Sequence, residues 1–269
     1  MADAFYTPTG TDGTFIATPH TEGPWAPGVQ HGGPPSALIA RTIERLPTSL
    51  GQPAQVARVT IEILGPVPLG EVRASARVVR PGRSVELVEA ELTAARGPVI
   101  RASAWRIRTA ALDLPAAGVT TEPDVTTEPG LPEPLPESGG FDNPSWDNGF
   151  IAAMEWRFIA GRFDEPGPCR TWVRQRVPLV DGEEPTGLQR LMALADCGNG
   201  LSAWYDFTAY LFINTELTVH LHRVPVGEWM YAATKSTLDT SGVGLAESVL
   251  CDIAGPVGRG AQALLVDRR

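Results

Sequence analysis

Lysine is almost missing from this chain of 269 residues: Lys235 is the only one, and the remaining basic charge is arginine scattered without a run. With 22 basic against 31 acidic residues the net charge is −9 and the pI is near 5.0. A phosphate-reading surface needs a concentrated basic patch, so nucleic acid is excluded as a partner. Cysteine is also scarce. Cys169, Cys197 and Cys251 are odd in number and show no C-x-x-C spacing, which argues against a disulfide framework or a zinc knuckle and for a reducing compartment. No window approaches 18 consecutive apolar residues, and Met1 to Pro8 has neither the basic nor the apolar stretch of a signal peptide. The expectation is a soluble, cytoplasmic protein with no membrane span.

What the chain does contain is an internal duplication. Val67-Pro68-Leu69-Gly70-Glu71 follows the alternating run Val59 to Leu64, and Val224-Pro225-Val226-Gly227-Glu228 follows Glu216 to Leu221, at an offset of 157 residues (224 − 67). The register continues downstream: Ser84 falls on Ser241 and Leu92 on Val249, and with one residue inserted Arg101 meets Arg259. So long a period signals two copies of one supersecondary unit, since a solenoid needs at least three repeats to bury its faces. With 43% hydrophobic residues, each half is long enough to build a core.

Each copy has the same plan. Pro34 and Pro35 are tolerated only in a first helical turn, and from Ser36 the residues Ala37, Leu38, Ala40, Ile43 and Leu46 recur at helical spacing up to Pro47. Four strand-like runs follow, 55–64, 71–80, 84–95 and 99–108, separated by turn chemistry that reads as an antiparallel meander. The stretch 111–145, rich in Pro, Glu, Thr and Gly, reads as a linker between a first domain over 1–110 and a second over 146–269. In the second copy, strands 154–158 and 171–177 precede a helical run 188–195 that continues through Asp196. Strands 211–222, 229–236, 242–252 and 259–266 complete it.

A helix cradled by a long antiparallel sheet, present twice, resembles the double hotdog fold, an α+β architecture of two long helices each wrapped by a sheet. In particular the chain resembles the thioesterase II type (TesB-like) acyl-CoA thioesterases. The residues that carry this are Trp25 with His31-Gly32-Gly33-Pro34-Pro35, Leu194-Ala195-Asp196, the run Asn214 to Arg223, and Gly260 to Leu265. The resemblance implies hydrolysis of acyl-CoA to free acid and coenzyme A, with no metal and no cofactor beyond the coenzyme A of the substrate, by a homo-oligomer. It also implies an acid, a hydroxyl and a glutamine around an attacking water. Asp196 and Gln262 match the acid and the amide. Counting back from His222-Arg223 puts Asn214 at the hydroxyl position, with Thr215 one residue on. Thr215 shares parity with Leu217, Val219 and Leu221, and since successive strand residues face opposite ways only one of the pair can point at Asp196.

The chemistry asks for an activated water and a cradle for a developing oxyanion. Asp196, after the apolar run Leu191 to Ala195, is the candidate general base, with direct attack on the carbonyl as a minor option. His31, Gly32 and Gly33 are the candidate oxyanion site, because unpaired N–H groups at a helix start attract negative charge and glycine allows close approach. In related single-hotdog thioesterases the His-Gly-Gly and the acid lie nine residues apart on one helix. Here those places hold Ala40 and Gly187, and Gln262 falls on Ala104 of the first copy, so one composite site per chain is expected. Glu44, further along the first helix, reads as a solvated surface residue. His220 and His222 alternate on one strand without a carboxylate at matching spacing, so no metal site is assigned. Two rival readings are a hotdog enoyl-CoA hydratase or dehydratase, for which Asn143-Pro144 lacks the histidine that should follow, and a catalytically silent acyl-CoA binding protein.

Overall fold

The first helix, α1 (Gly33–Arg45), starts at a residue that cannot cap it with a side chain, Gly32, and carries its two prolines in the first turn. It ends where Leu46 turns extended before Pro47, as the residue preceding a proline tends to. The Arg106 guanidinium then donates to Ile43 O, Leu46 O and Pro47 O, satisfying carbonyls that the helix leaves open and placing a cation at its negative end. Leu38, Ile39 and Ile43 are fully buried, each worth about 1.5–3 kcal/mol relative to exposure.

The computed structural model describes residues 3–113, 136, 149–204 and 208–269. Before α1 lie β1 (Tyr6–Pro8) and β2 (Thr14–Ala17); after it come β3 (Ala54–Ile63), β4 (Gly70–Arg80), β5 (Val85–Ala94) and β6 (Gly97–Arg108). The second half holds a short α2 (Gly149–Ala152), β7 (Met154–Ala160), β8 (Cys169–Gln175), α3 (Gly187–Ala195), α4 (Gly198–Leu201), β9 (Tyr210–Asn214), β10 (Glu216–Leu221), β11 (Trp229–Leu238), β12 (Val243–Asp252) and β13 (Gly255–Arg268). All but a few residues of the linker expected over 111–145, and the Asn143-Pro144 segment, lie outside the described residues.

The strands form one antiparallel sheet in the order β1-β2-β4-β5-β6-β3-β10-β13-β12-β11-β8-β7, with β9 on β13. Within each half the central order is the same, and the halves join where β3 meets β10. There Val59 pairs with Val219 and Glu62 with Glu216. Adding 157 to Val59 gives Glu216, and subtracting it from Val219 gives Glu62, so the sequence repeat acts in space as a twofold rotation that exchanges one rung of this ladder for another. The expected meander needs amending: β3 does not pair with β4 but crosses to the far side of β6, because its other edge is required for the join.

Two further expectations change. The second helix is not one long rod: it breaks after nine residues at Asp196, and four more residues of helix follow from Gly198. The strand expected over 211–222 is divided at Thr215. From Asn214 to Thr218 is four residues, yet their partners Leu264 and Ala261 on β13 are three apart, so one extra residue is accommodated and the inward-facing parity resets. The first copy carries a bulge in the matching region of β3, between Val56 and Arg58. Helices α1 and α3 pack on each other and on one face of the sheet, and the main core lies between them and that face.

Candidate active site

Because α1 and α3 come from different copies, their packing brings the start of the first against the end of the second. Glycine makes the approach possible. A Cβ added at Gly33 would stand 2.5 Å from Ala193 O, and one added at Gly32 would stand 2.5 Å from Asp196 Oδ2 and 2.8 Å from both Cγ and Oδ1. Asp196 therefore faces inward at the C-cap of α3, 3% exposed, with its carboxylate lying across the N-cap residue of the helix from the other half. Its Oδ1 accepts from Asn214 Nδ2 at 2.9 Å, and its Oδ2 lies 3.3 Å from His31 Nδ1.

His31 Nδ1 accepts the Gly33 N–H at 2.9 Å, and the ring stacks on Phe150 at 4.2 Å between centroids. Burial pushes this imidazole below its ordinary value, against the opposing pull of the Asp196 carboxylate. The ring is thus neutral, its proton on Nε2. This sets the inventory of donors at the helix start. Pro34 and Pro35 have none, the Gly33 N–H is spent on His31, and the Ser36 N–H bonds Gly32 O. Only the Gly32 N–H donates to no atom of the described residues, so the expected two-glycine cradle reduces to one amide.

Gln262, 1% exposed, uses its amide on the main chain at the helix break: Nε2 donates to Asp196 O at 3.1 Å, and Oε1 accepts from Asn199 N at 3.0 Å. Thr215 is exposed and its hydroxyl donates to Ala263 O at 3.4 Å. Of the two neighbours left open by the sequence, Asn214 is the one that reaches Asp196, and the parity argument that favoured Thr215 fails because of the bulge. Cys197 follows Asp196 but is fully buried; desolvation, and secondarily the Asp196 charge, push its thiol well above its ordinary value, which removes it as a nucleophile. Phe150 and Asn199 were not anticipated. Asn199, a polar residue in the otherwise apolar run around Asp196, carried a readable signal; Phe150 did not.

At the opposite end of the helix pair the same layout recurs with different residues. Glu44 near the end of α1 meets the start of α3, accepting from Thr186 Oγ1 at 2.8 Å and Gln189 Nε2 at 2.8 Å. It is part-buried and bonded across the two halves, not a solvated surface group. Thr186 also accepts from Gln189 N, so this helix start is filled by its own cap. Among the described residues no three His, Cys, Asp or Glu side chains gather as a metal site, and His220 and His222 are exposed. None of the described helices is long and apolar enough to cross a membrane.

The paired halves, each a helix against an antiparallel sheet of the same strand order, make this a double hotdog protein. The chain belongs to the acyl-CoA thioesterase family of thioester hydrolases: the family's N-terminal domain matches residues 21–107 and its C-terminal domain residues 127–266. Solved structures agree on the fold. A hotdog-fold protein of unknown function from Alicyclobacillus acidocaldarius superposes with a TM-score of 0.72 at 15% identity, covering 98% of this chain and 97% of that one. A tesB protein from Mycobacterium avium subsp. paratuberculosis gives 0.64 at 15% identity over 97% and 96%. The acyl-CoA thioesterase II TesB2 of Mycobacterium marinum gives 0.63 at 13% over 97% and 96%. No curated protein matches the chain.

Proposed function

We propose that the chain hydrolyses acyl-CoA thioesters through one composite site, in which the second copy supplies the base and the first copy the oxyanion donor. The observation that carries this reading is the contact of the Asp196 carboxylate with Gly32 at the start of α1. The thioester oxygen accepts the Gly32 N–H, assisted by the positive end of the α1 macrodipole. Asp196 takes a proton from a water as that water attacks the carbonyl carbon; the tetrahedral oxyanion then collapses, the carbon–sulfur bond breaks, and Asp196 returns the proton to the departing sulfur, releasing coenzyme A as the thiol and the acyl group as the free acid. The Asn214 amide bonds Oδ1 and orients the carboxylate, while Gln262 fastens the helix break from which Asp196 projects, its second Nε2 hydrogen being available to the water. His31, neutral and stacked on Phe150, supports the glycine turn.

This scheme requires no metal and no cofactor besides the coenzyme A of the substrate; a cytoplasmic location and a homo-oligomeric state belong to the proposal through the composition and the family resemblance, not through the site. Asp196→Asn keeps the shape and the Asn214 contact but removes the base. We expect kcat to fall by at least about 100-fold, with KM little changed and the thermal melt preserved, in an assay that follows released thiol with a thiol-reactive dye. Wild-type turnover by the folded variant would refute the role of Asp196.

A further inference from the structure

We propose that Asn199 is a positioning residue for this hydrolysis, holding the free edge of β9 so that Asn214 stays on the Asp196 carboxylate. The inference rests on the function proposed above. Strand β9 is five residues long and pairs only with β13 among the described strands. Phe212 stands opposite Val266, whose N–H goes to Gly242 O beside β12. In an antiparallel ladder, a residue whose partner points away belongs to a non-hydrogen-bonded pair and points its own carbonyl outward. The Phe212 carbonyl therefore faces the edge that none of the described strands covers.

Asn199 takes that carbonyl in place of a strand. Its Nδ2 donates to Phe212 O at 3.1 Å, and the residue is 3% exposed. Its own N–H donates to Gln262 Oε1, and Gln262 Nε2 donates to Asp196 O. The contacts close a ring: the Asp196 main chain to Gln262, Gln262 to Asn199, Asn199 to Phe212, then two residues along β9 to Asn214, whose amide returns to the Asp196 carboxylate.

The ladder to β13 fixes the slide of β9, but its outer edge is left to roll: the Phe212 ring is buried with Ala203, Ala246 and Leu264, and apolar contact is non-directional. The bulge at Thr215 frees β9 from the register of β10. The Asn199 bond is a directional restraint on that edge. None of the hydrogen bonds of Asn199 goes to the carboxylate, so it acts through Asn214.

The test uses the full-length chain, acyl-CoA esters from acetyl to palmitoyl, and thiol release. Asn199→Asp is isosteric but cannot donate from its side chain; Asn199→Leu, which has the same branching but no polar atom, reads the same quantities should the aspartate variant not fold. We expect kcat to fall roughly ten- to a hundredfold, the cost of misplacing a reacting group by about 1 Å, with KM within about twofold. In an Asn214→Ala background the same change should add less than about twofold, because both substitutions remove one restraint. An unchanged kcat, a loss carried by KM, or a loss of full size in the Asn214→Ala background would each overturn the proposal.

A wild type that releases no thiol from any ester would sink the hydrolase reading instead. The Asn199 inference is then decided by the side-chain amide protons of Asn214 in ¹⁵N NMR. They should be shifted and protected by the carboxylate in the wild type and lose both properties in Asn199→Asp; resonances unmoved by the substitution overturn it.

Discussion

A single methyl group at Gly32 should separate the two halves of the site. Gly32 has φ −67° and ψ −17°, a conformation any residue adopts, so alanine brings no backbone strain and by itself would stabilise the chain by about 0.4–1 kcal/mol through the unfolded state. The added Cβ would nevertheless stand 2.5 Å from Asp196 Oδ2, whereas ordinary contact begins near 3.4 Å. The carboxylate must retreat by about 0.9 Å, the difference of those two distances. Asp196 is held through its carbonyl by Gln262 and through Oδ1 by Asn214 at 2.9 Å, so a retreat of that size stretches or breaks the Asn214 bond. Misplacement by about 1 Å costs on the order of 100-fold in rate, while crowding costs about 1–3 kcal/mol of stability, partly offset by the backbone gain. We expect Gly32→Ala to lose about 100-fold in kcat, read by thiol release, with a melting temperature within several degrees of wild type. Gly65→Ala, where an added Cβ meets nothing within 4 Å, is the control. A Gly32→Ala enzyme with kcat within about twofold of wild type would falsify the contact as the working arrangement.

Two carboxylates away from the site, Glu86 buried and Glu44 part-buried, make opposite predictions with pH. Burial alone would raise the fully buried Glu86, but hydrogen bonds from Ser49 and Thr48 and the Arg106 charge outweigh it and hold the group below its ordinary 4.5. A depressed folded-state value contributes stability that is present above 4.5 and lost as pH falls through the lower value. Glu86→Gln, which leaves Arg106 buried without its charge partner, should cost about 3–5 kcal/mol in urea melts at pH 7, the gap closing in acid; parallel curves would contradict the pairing. Burial raises Glu44 above its ordinary 4.5, only partly countered by Gln189 and Thr186. Its contribution is present below 4.5 and lost as pH rises through the raised value. Glu44→Gln should therefore be more stable than wild type at pH 7, by up to about 1 kcal/mol, and lose that advantage near pH 4. A variant less stable at pH 7 would show the charge to be favourable there.

How much of this was legible beforehand depended on the scale of the signal. The repeat was visible because side-chain alternation and turn chemistry are local, and the ten strand runs named were recovered in outline, 211–222 as two strands. The join itself was not. Whether β3 pairs with β4 or crosses to β6 and β10 is decided by which edge the second copy must cover, a tertiary demand that a run of alternating residues does not encode. The meeting of His31-Gly32-Gly33 from one copy with Asp196 from the other was foreseeable from the unequal motifs, but its finer geometry turned on single-residue irregularities. A bulge reverses the parity on which any strand argument rests, and so Thr215 turned outward while Asn214 met the carboxylate. Likewise the helix start promised two glycine amides, yet His31 took one of them through a ring orientation set by Phe150, which lies far away in sequence.

The two ends of the helix pair show what those irregularities achieve. Each end sets a carboxylate from one copy against the helix start of the other, so the fold alone cannot make one end a site and the other a brace. The difference lies at the N-cap. Thr186 fills its helix start with a hydroxyl that also binds Glu44, whereas Gly32 leaves its start without a side chain and its N–H without a protein acceptor among the described residues. Duplication gave the chain two such ends, and the choice of threonine or glycine at one position in each separates a helix start filled by its own cap from an open one, which is where the proposed chemistry falls.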